Sequence, residues 1–269
     1  MDAQPQRPDP HPLLLLHGTG ASTHSWRALA PMLAPLRGLL AVDLPGHARS
    51  GPLPAGRRSL PGMAAATADL LCTLGVTPRA VLGHSAGAAV MLRLALDGGP
   101  EGVLGRARLI GLNAALQPFE GWAGWLFPPL ARLLALNPLV PWLAARQAQK
   151  GNAIRRLIAT TGSTLDDAGV AHYARLLSNP RHVAGVLAMT ANWDLHALQR
   201  DLLLHLRQPL HLLVGQADGT VPPGQAAWLA AQLPAVQLHS LPGLGHLAHE
   251  EAPQAVAAAL APILADRDR

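Results

Sequence analysis

The sequence contains little cysteine, lysine, aromatic residue or charge. Cys72 is the only cysteine among the 269 residues, so the chain cannot close a disulfide within itself, which fits a reducing compartment. Lys150 is the only lysine among the 21 basic residues, and aromatic residues make up only 3% of the chain. No basic cluster is interleaved with aromatic side chains, so the net charge of +5 reflects an arginine-rich composition and does not indicate nucleic-acid binding.

Long uninterrupted apolar runs are also missing. The longest stretch without an acidic or basic residue, residues 219–249, is broken by prolines and does not predict a membrane span. Residues 1–12 are rich in proline and have no apolar signal-peptide core, so we expect a cytoplasmic protein. With 49% hydrophobic residues, the chain can bury the core of one large domain.

Short apolar runs alternate with helical patterns along most of the chain. Six runs predict strands, several of them apolar on both faces, namely residues 13–16, 39–42, 79–82, 106–112, 209–214 and 236–240. Helices are predicted over residues 22–36, 63–74, 86–96, 225–233 and 252–265. This alternation predicts an α/β fold, in which a mostly parallel sheet is covered by helices on both faces.

The alternation stops between residues 114 and 206, where no clear strand is present. Residues 171–177 and 183–189 have helical patterns instead. We predict that residues 114–206 form a helical lid over the carboxyl edge of the sheet, where ligands bind in such folds. The core then consists of residues 1–113 and 207–269.

The pentapeptide Gly83-His84-Ser85-Ala86-Gly87 lies between an apolar strand pattern and a helical pattern. In this strand–turn–helix arrangement, a serine occupies a sharp turn, and the flanking glycines avoid collisions there. The turn exposes the hydroxyl group at the end of the strand and directs helix N-terminal N–H groups toward the reacting atom. The pattern predicts that Ser85 is a catalytic nucleophile.

A serine nucleophile needs a base and an acid that orients the base. Asp218 and His246 each follow a predicted strand, so we expect them on loops at the same sheet edge as the serine. We predict Asp218 as the acid and His246 as the base. Asp218 could instead cap the following helix. Asp194 and, less strongly, Asp201 are rival acids, and His249 competes with His246.

Acyl transfer also needs backbone donors for the oxyanion. We predict the N–H of Ala86 as one donor and the N–H of Thr19, in the loop after the first strand, as the other. A metal site is a weaker alternative. His246, His249 and Glu250 have helix-like ligand spacing, but no His-Glu-x-x-His or paired-cysteine pattern accompanies them. We therefore predict neither a metal nor a cofactor.

These motifs resemble the α/β-hydrolase superfamily over nearly the whole chain. The segments that carry the resemblance are residues 17–20, 43–47, 83–87, 218–222 and 245–246. Other segments are similar to one subfamily, the magnesium-chelatase accessory proteins of bacteriochlorophyll biosynthesis, and these are residues 21–27, 59–63, 87–93, 134–141, 161–166, 189–194 and 241–251. Members of the superfamily usually begin with an antiparallel hairpin, for which residues 1–12 offer no pattern. Either the true start lies upstream, or the sheet is shorter and has an exposed edge.

The resemblance implies a serine hydrolase that acts on an ester or similar carbonyl group near the magnesium-chelatase step. The alternative is a non-catalytic accessory protein that holds a tetrapyrrole or contacts the chelatase. The expected partners are a small-molecule substrate, either a tetrapyrrole or its ester, and magnesium chelatase.

Three tryptophans of the predicted lid, Trp122, Trp125 and Trp142, are candidates for the substrate pocket. Basic residues between positions 132 and 156 occur there without any acidic residue. Together they could hold a large flat apolar anion such as a porphyrin, or they could rest on a membrane surface. An amphipathic lid whose charges lie in water explains the same residues.

Overall fold

The computed structural model describes residues 9–118, 137, 139–149 and 152–265. Strands in this part of the chain lie where the apolar runs predicted them. They are β1 (Leu13–Leu16), β2 (Leu39–Val42), β3 (Ala80–His84), β4 (Arg108–Leu112), β5 (Leu210–Gly215) and β6 (Val236–Leu241). They form one sheet in the order β2-β1-β3-β4-β5-β6, and all its neighbouring strands are parallel. Among the described residues, β2 and β6 are the edge strands.

Helices lie between successive strands, and five of the described helices lie between β4 and β5. In chain order, the helices of the described residues are α1 (Ala30–Leu33), α2 (Leu60–Leu74), α3 (Ala86–Gly98), α4 (Leu139–Ala148), α5 (Ala153–Thr160), α6 (Asp167–Leu177), α7 (Pro180–Asn192), α8 (Leu195–His205), α9 (Pro223–Gln232), α10 (Ala248–Glu251) and α11 (Pro253–Ala265). Two short 3-10 turns are formed by Thr23–Trp26 and Ala55–Arg57. In the described part of the chain, no helix combines the length and hydropathy needed to cross a membrane.

Two apolar layers cover the two faces of the sheet. The four leucines of β1 are fully buried and alternate between these layers, as the period of two in a strand requires. Leu14 and Leu16 join the layer formed mainly with α2, α3, α8 and α9. Leu13 and Leu15 join the layer formed with α1 and α11. Full burial of each leucine contributes about 1.5–3 kcal/mol, so β1 anchors the centre of the core.

The helices between β4 and β5, which the sequence predicts to form a lid, contact a loop at the carboxyl edge of the sheet. From α7, the ring of His182 donates from Nε2 to the carbonyl oxygen of Gly20 over 3.1 Å. The hydroxyl of Thr19 lies 3.1 Å from Sδ of Met189, which is also on α7. These contacts place α7 above the loop that follows β1.

The prediction of one helix over residues 22–36 is wrong. The chain forms a 3-10 turn, capped by the hydroxyl of Ser22, and then the separate short helix α1. Pro31 lies at the start of α1. Because proline has no N–H and its ring collides with the preceding turn of a helix, a continuous helix through this position is disfavoured. Pro253 likewise begins α11 and separates it from α10.

Candidate active site

Ser85 occupies the turn between β3 and α3, in a strained backbone conformation. Its φ is 49° and its ψ is −115°, a combination that costs a non-glycine residue about 1–3 kcal/mol. The flanking glycines are required by close packing. A Cβ atom on Gly87 would collide with the carbonyl oxygen of Leu16, and one on Gly83 would lie 2.5 Å from Cα of Ala88. The turn therefore forms only because both flanking positions lack a side chain.

The predicted oxyanion donors lie around this serine. Ala86 is the first residue of α3, so its N–H belongs to the helix terminus, where backbone donors have no partner within the helix. The loop after β1 approaches from the other side, since a Cβ atom on Gly18 would lie 3.1 Å from Cβ of Ser85. Thr19 follows in that loop and is exposed. The assignment of Thr19 and Ala86 as oxyanion donors remains a proposal.

Asp218 and His246 are hydrogen-bonded to each other. Nδ1 of His246 lies 2.8 Å from Oδ2 of Asp218, and both side chains are buried. The other carboxylate oxygen of Asp218 accepts the backbone N–H groups of Thr220 at 2.7 Å and Val221 at 2.8 Å. Asp218 therefore caps its own loop and binds the histidine at the same time. A proton on Nδ1 of His246 leaves Nε2 with a lone pair, as a general base requires.

The two rival carboxylates are engaged elsewhere. Asp194 is the N-cap of α8, where Oδ1 accepts the N–H of His196 at 2.9 Å. Asp201 forms an ion pair with Arg93 at 2.6 Å. Both therefore stabilise the α3–α8 side of the molecule.

A buried asparagine, which the sequence analysis did not single out, joins the chain segments just before Asp218 and His246. Asn113 follows β4 with a φ of 45°. Its Nδ2 donates to the carbonyl oxygen of Gly245 at 2.8 Å, and its Oδ1 accepts the N–H of Gly215 at 2.8 Å. A single asparagine after a strand forms no recognisable motif, so only its position at the sheet edge reveals this role.

Uncharged histidines surround the base. His84 is fully buried and donates from Nε2 to the carbonyl oxygen of His246 at 2.9 Å. Its ring centroid lies 4.8 Å from that of His246 and 4.5 Å from that of His249. Burial holds the pKa of His84 well below its ordinary value and lowers the pKa of His249 to about 3. His249 is therefore a neutral packing residue, which distinguishes it from the hydrogen-bonded His246.

His17 is also structural. Its Nδ1 donates to the carbonyl oxygen of Gly18 at 2.8 Å, and its Nε2 accepts the N–H of Leu44 at 2.9 Å. The ring thus ties the loop after β1 to the loop after β2. Burial lowers the pKa of His17 to about 4, so it carries no charge near neutral pH.

Glu250 is a buried carboxyl group, and its Oε2 lies 4.0 Å from Nε2 of His24. The hydroxyl of Tyr173 donates to its Oε1 at 2.7 Å, and Nη1 of Arg27 lies 3.4 Å from its Oε2. Burial disfavours the charged form and raises the pKa of Glu250 to about 7, despite these two partners. This group therefore changes its protonation state near neutral pH.

The predicted pocket residues of the lid lie only partly within the described ranges. Trp122, Trp125, Arg132 and Lys150 lie outside the described residues. Trp142 is 47% exposed on α4, and the guanidinium carbon of Arg146 lies 4.9 Å from its ring centroid.

One of the cations of the predicted lid forms an ion pair within that segment. Arg155 forms an ion pair with Asp167, and both side chains are exposed. The alternative of a metal site is a separate question. Within the described ranges, no group of three or more His, Cys, Asp or Glu side chains is arranged to hold a metal ion.

The sequence profile of the alpha/beta hydrolase family matches residues 13–259. The chain belongs to this family. The parallel sheet, the serine between β3 and α3, and the hydrogen-bonded acid and histidine after β5 and β6 have the chain order that is usual for hydrolases of this fold.

Two relatives whose names describe different functions match most of the chain. The magnesium-chelatase 30 kDa subunit of Rhodobacter capsulatus is 42% identical over 240 residues, which cover 89% of this chain and 82% of the relative. The pimeloyl-[acyl-carrier protein] methyl ester esterase of Aromatoleum aromaticum is 30% identical over 257 residues, which cover 91% of this chain and 94% of the relative.

Solved structures of hydrolases share the fold. An alpha/beta hydrolase fold protein from Burkholderia ambifaria has a TM-score of 0.76 and 26% identity, and the match covers 94% of this chain and 91% of that one. A thermophilic esterase from Thermogutta terrifontis has a TM-score of 0.71 and 24% identity, with coverage of 95% and 89%. The second likeness concerns the fold alone.

Proposed function

We propose that the protein is a serine hydrolase that acts on an ester or similar carbonyl group. The observation that carries the proposal is the hydrogen bond between His246 and Asp218, at the sheet edge where Ser85 occupies its strained turn. In the proposed reaction, Ser85 Oγ attacks the carbonyl carbon while Nε2 of His246 takes its proton. The N–H groups of Ala86 and Thr19 stabilise the oxyanion, and the leaving alcohol receives the proton from His246.

The reaction is completed by water. Water attacks the resulting acyl-serine while His246 accepts a proton from the water, and His246 then returns this proton to Ser85 Oγ as the acid product leaves. Asp218 keeps its charge throughout and holds the ring in the productive tautomer. The esterase relative supports an ester as the substrate class.

The relative from Rhodobacter capsulatus supports a place near the magnesium-chelatase step of bacteriochlorophyll synthesis. In this proposal, the substrate is a tetrapyrrole ester or a related small molecule. A second candidate function rests on the same relative, whose name is that of a chelatase subunit. In that case, the site holds a tetrapyrrole or contacts the chelatase without catalysis.

A fluorophosphonate probe separates the two functions. The hydrolase proposal expects covalent labelling of the wild-type protein, detected by intact mass, and no labelling of Ser85→Ala. Ser178→Ala is the matched control, since Ser178 ends α6 and the variant should label like the wild type. A folded wild-type protein that never labels, yet binds protoporphyrin as tightly as Ser85→Ala does, would support the non-catalytic function and overturn the hydrolase proposal.

A further inference from the structure

A three-residue segment between α5 and α6 lies against both loops that carry the acid and the base. The carbonyl oxygen of Thr161 accepts two backbone N–H groups, each at 3.1 Å. One belongs to Gly219, the neighbour of Asp218, and the other belongs to His246 itself. One oxygen of the helical lid therefore joins the acid loop to the base.

The next two residues extend this contact. Ser163 is 3% exposed, and its hydroxyl oxygen accepts the N–H of Leu247 at 2.9 Å. Gly162 has a φ of +77°, and a Cβ atom there would collide with the carbonyl oxygen of Ala217. The segment thus requires glycine at its centre for both conformation and space.

A carboxylate of α10 closes the arrangement. Oε2 of Glu251 accepts the N–H of Gly245 at 3.1 Å, and its Oε1 accepts the N–H of Thr164 at 3.2 Å. The carboxylate of Glu251 therefore joins Gly245, just before His246, to Thr164, just after Ser163. A charged acceptor makes stronger hydrogen bonds than a neutral one.

We propose that Thr161, Ser163 and Glu251 form a positioning clamp, which holds Asp218 and His246 at hydrogen-bonding distance and so couples the helical lid to the catalytic pair. None of the three residues is assigned a contact with substrate. The clamp acts through the backbone on either side of the pair, where a displacement of about 1 Å is enough to lose a productive geometry. The inference rests on the proposed function for the roles of the pair, although their hydrogen bond can be measured without any activity.

The test is a low-field proton NMR spectrum, in which an imidazole Nδ1–H bound to a carboxylate gives a separate signal. His246→Gln assigns the signal. We expect Ser163→Ala and Glu251→Gln to abolish it or to accelerate its exchange with water about tenfold or more, and to slow Ser85 labelling on the order of tenfold. Thr160→Ala is the matched control, since Thr160 is exposed and its hydroxyl bonds only to Leu157 within the lid. Ser163→Thr keeps a hydroxyl oxygen that can accept the N–H of Leu247, so this variant, unlike Ser163→Ala, should show the signal.

The outcomes distinguish the clamp from the proposed function. If the wild-type protein shows the signal but is never labelled, and Ser163→Ala lacks the signal, the hydrolase proposal is overturned. The clamp proposal is then supported. Wild-type protein without the signal would overturn the clamp. Folded Ser163→Ala and Glu251→Gln variants that keep both the signal and the labelling rate would also overturn it. If circular dichroism shows that Ser163→Ala is unfolded, Glu251→Gln decides alone.

Discussion

Asp218 uses its two carboxylate oxygens for different purposes: Oδ2 holds Nδ1 of His246 at 2.8 Å, while Oδ1 binds backbone N–H groups of its own loop. The side chain of Asp218 is therefore held by its own loop as well as by His246. This relationship predicts that substitution of Asp218 and substitution of Asp194 have different effects on the labelling of Ser85.

Asp218→Asn should slow fluorophosphonate labelling of Ser85 by on the order of 10³–10⁴-fold, because an amide in this place favours the wrong tautomer of the base. Asp194→Asn is the control, since asparagine is also a good N-cap and Asp194 lies on α8. Its labelling rate should match the wild type. Equal rates for the two variants would contradict the assignment of Asp218.

Gly87→Ala should destabilise the protein by about 3 kcal/mol or more, because the added methyl group collides with the backbone oxygen of Leu16 and cannot be relieved by a side-chain rotation. Gly224→Ala is the matched control. Gly224 lies in α9, where an added methyl group would meet no atom of another element within 4 Å, and alanine favours helix there. Urea unfolding of both variants checks the prediction, and a loss under about 1 kcal/mol in Gly87→Ala would refute it.

Glu250→Gln should gain stability relative to the wild type at pH 8 but not at pH 5. The folded-state pKa is raised from 4.5 to about 7, so the stability present below the unfolded pKa is lost as pH rises toward 7. The full difference is on the order of 3 kcal/mol at pH 8. The titratable and charged groups around the carboxyl are Tyr173, Arg27, His24 and Asp166, and the substitution leaves them in place.

Unfolding free energies at both pH values test this expectation. Glu101→Gln is the control, because Glu101 is exposed and its replacement should give no comparable difference between pH 5 and pH 8. An equal loss of stability in Glu250→Gln at both pH values would show that the hydrogen bonds of the carboxyl outweigh its burial.

Trp142→Ala should weaken protoporphyrin binding more than Arg146→Ala does. The tryptophan offers a large stacking surface, whereas an exposed ion pair contributes only about 0–1 kcal/mol. Both side chains lie on α4 in mutual contact, which makes them a matched pair. Titration followed by tryptophan quenching in the wild type, and by porphyrin absorbance in both variants, gives the affinities. Unchanged binding in both variants would exclude this face of the lid from the porphyrin site.

The positions of the strands along the chain and the residues at their carboxyl ends could be predicted from the sequence. Leu13–Leu16 is apolar throughout because both faces of β1 are covered, and such runs are easily recognised. Asp218 and His246 could be paired because strands of a parallel sheet deliver their carboxyl ends to one edge. The break at Pro31 was missed, although a proline in that place disfavours a continuous helix.

The contacts that join the loops could not be read in the same way. Asn113 binds two backbone groups that are distant in the sequence, and its strained φ leaves no pattern in neighbouring residues. The role of Thr161 belongs to its carbonyl oxygen, which every residue possesses. Only the folded chain reveals which carbonyl two distant N–H groups share.

The shared carbonyl of Thr161 sets a limit on recombination between members of this family. A chimaera that takes all of residues 114–206 from a relative replaces the turn that places this oxygen against Gly219 and His246. If the crossover points leave residues 160–166 unchanged, the chimaera keeps the carbonyl of Thr161, the turn at Gly162 and the hydroxyl of Ser163 together. Exchange of the flanking helices then changes the surface above the site without separating the two loops beneath it.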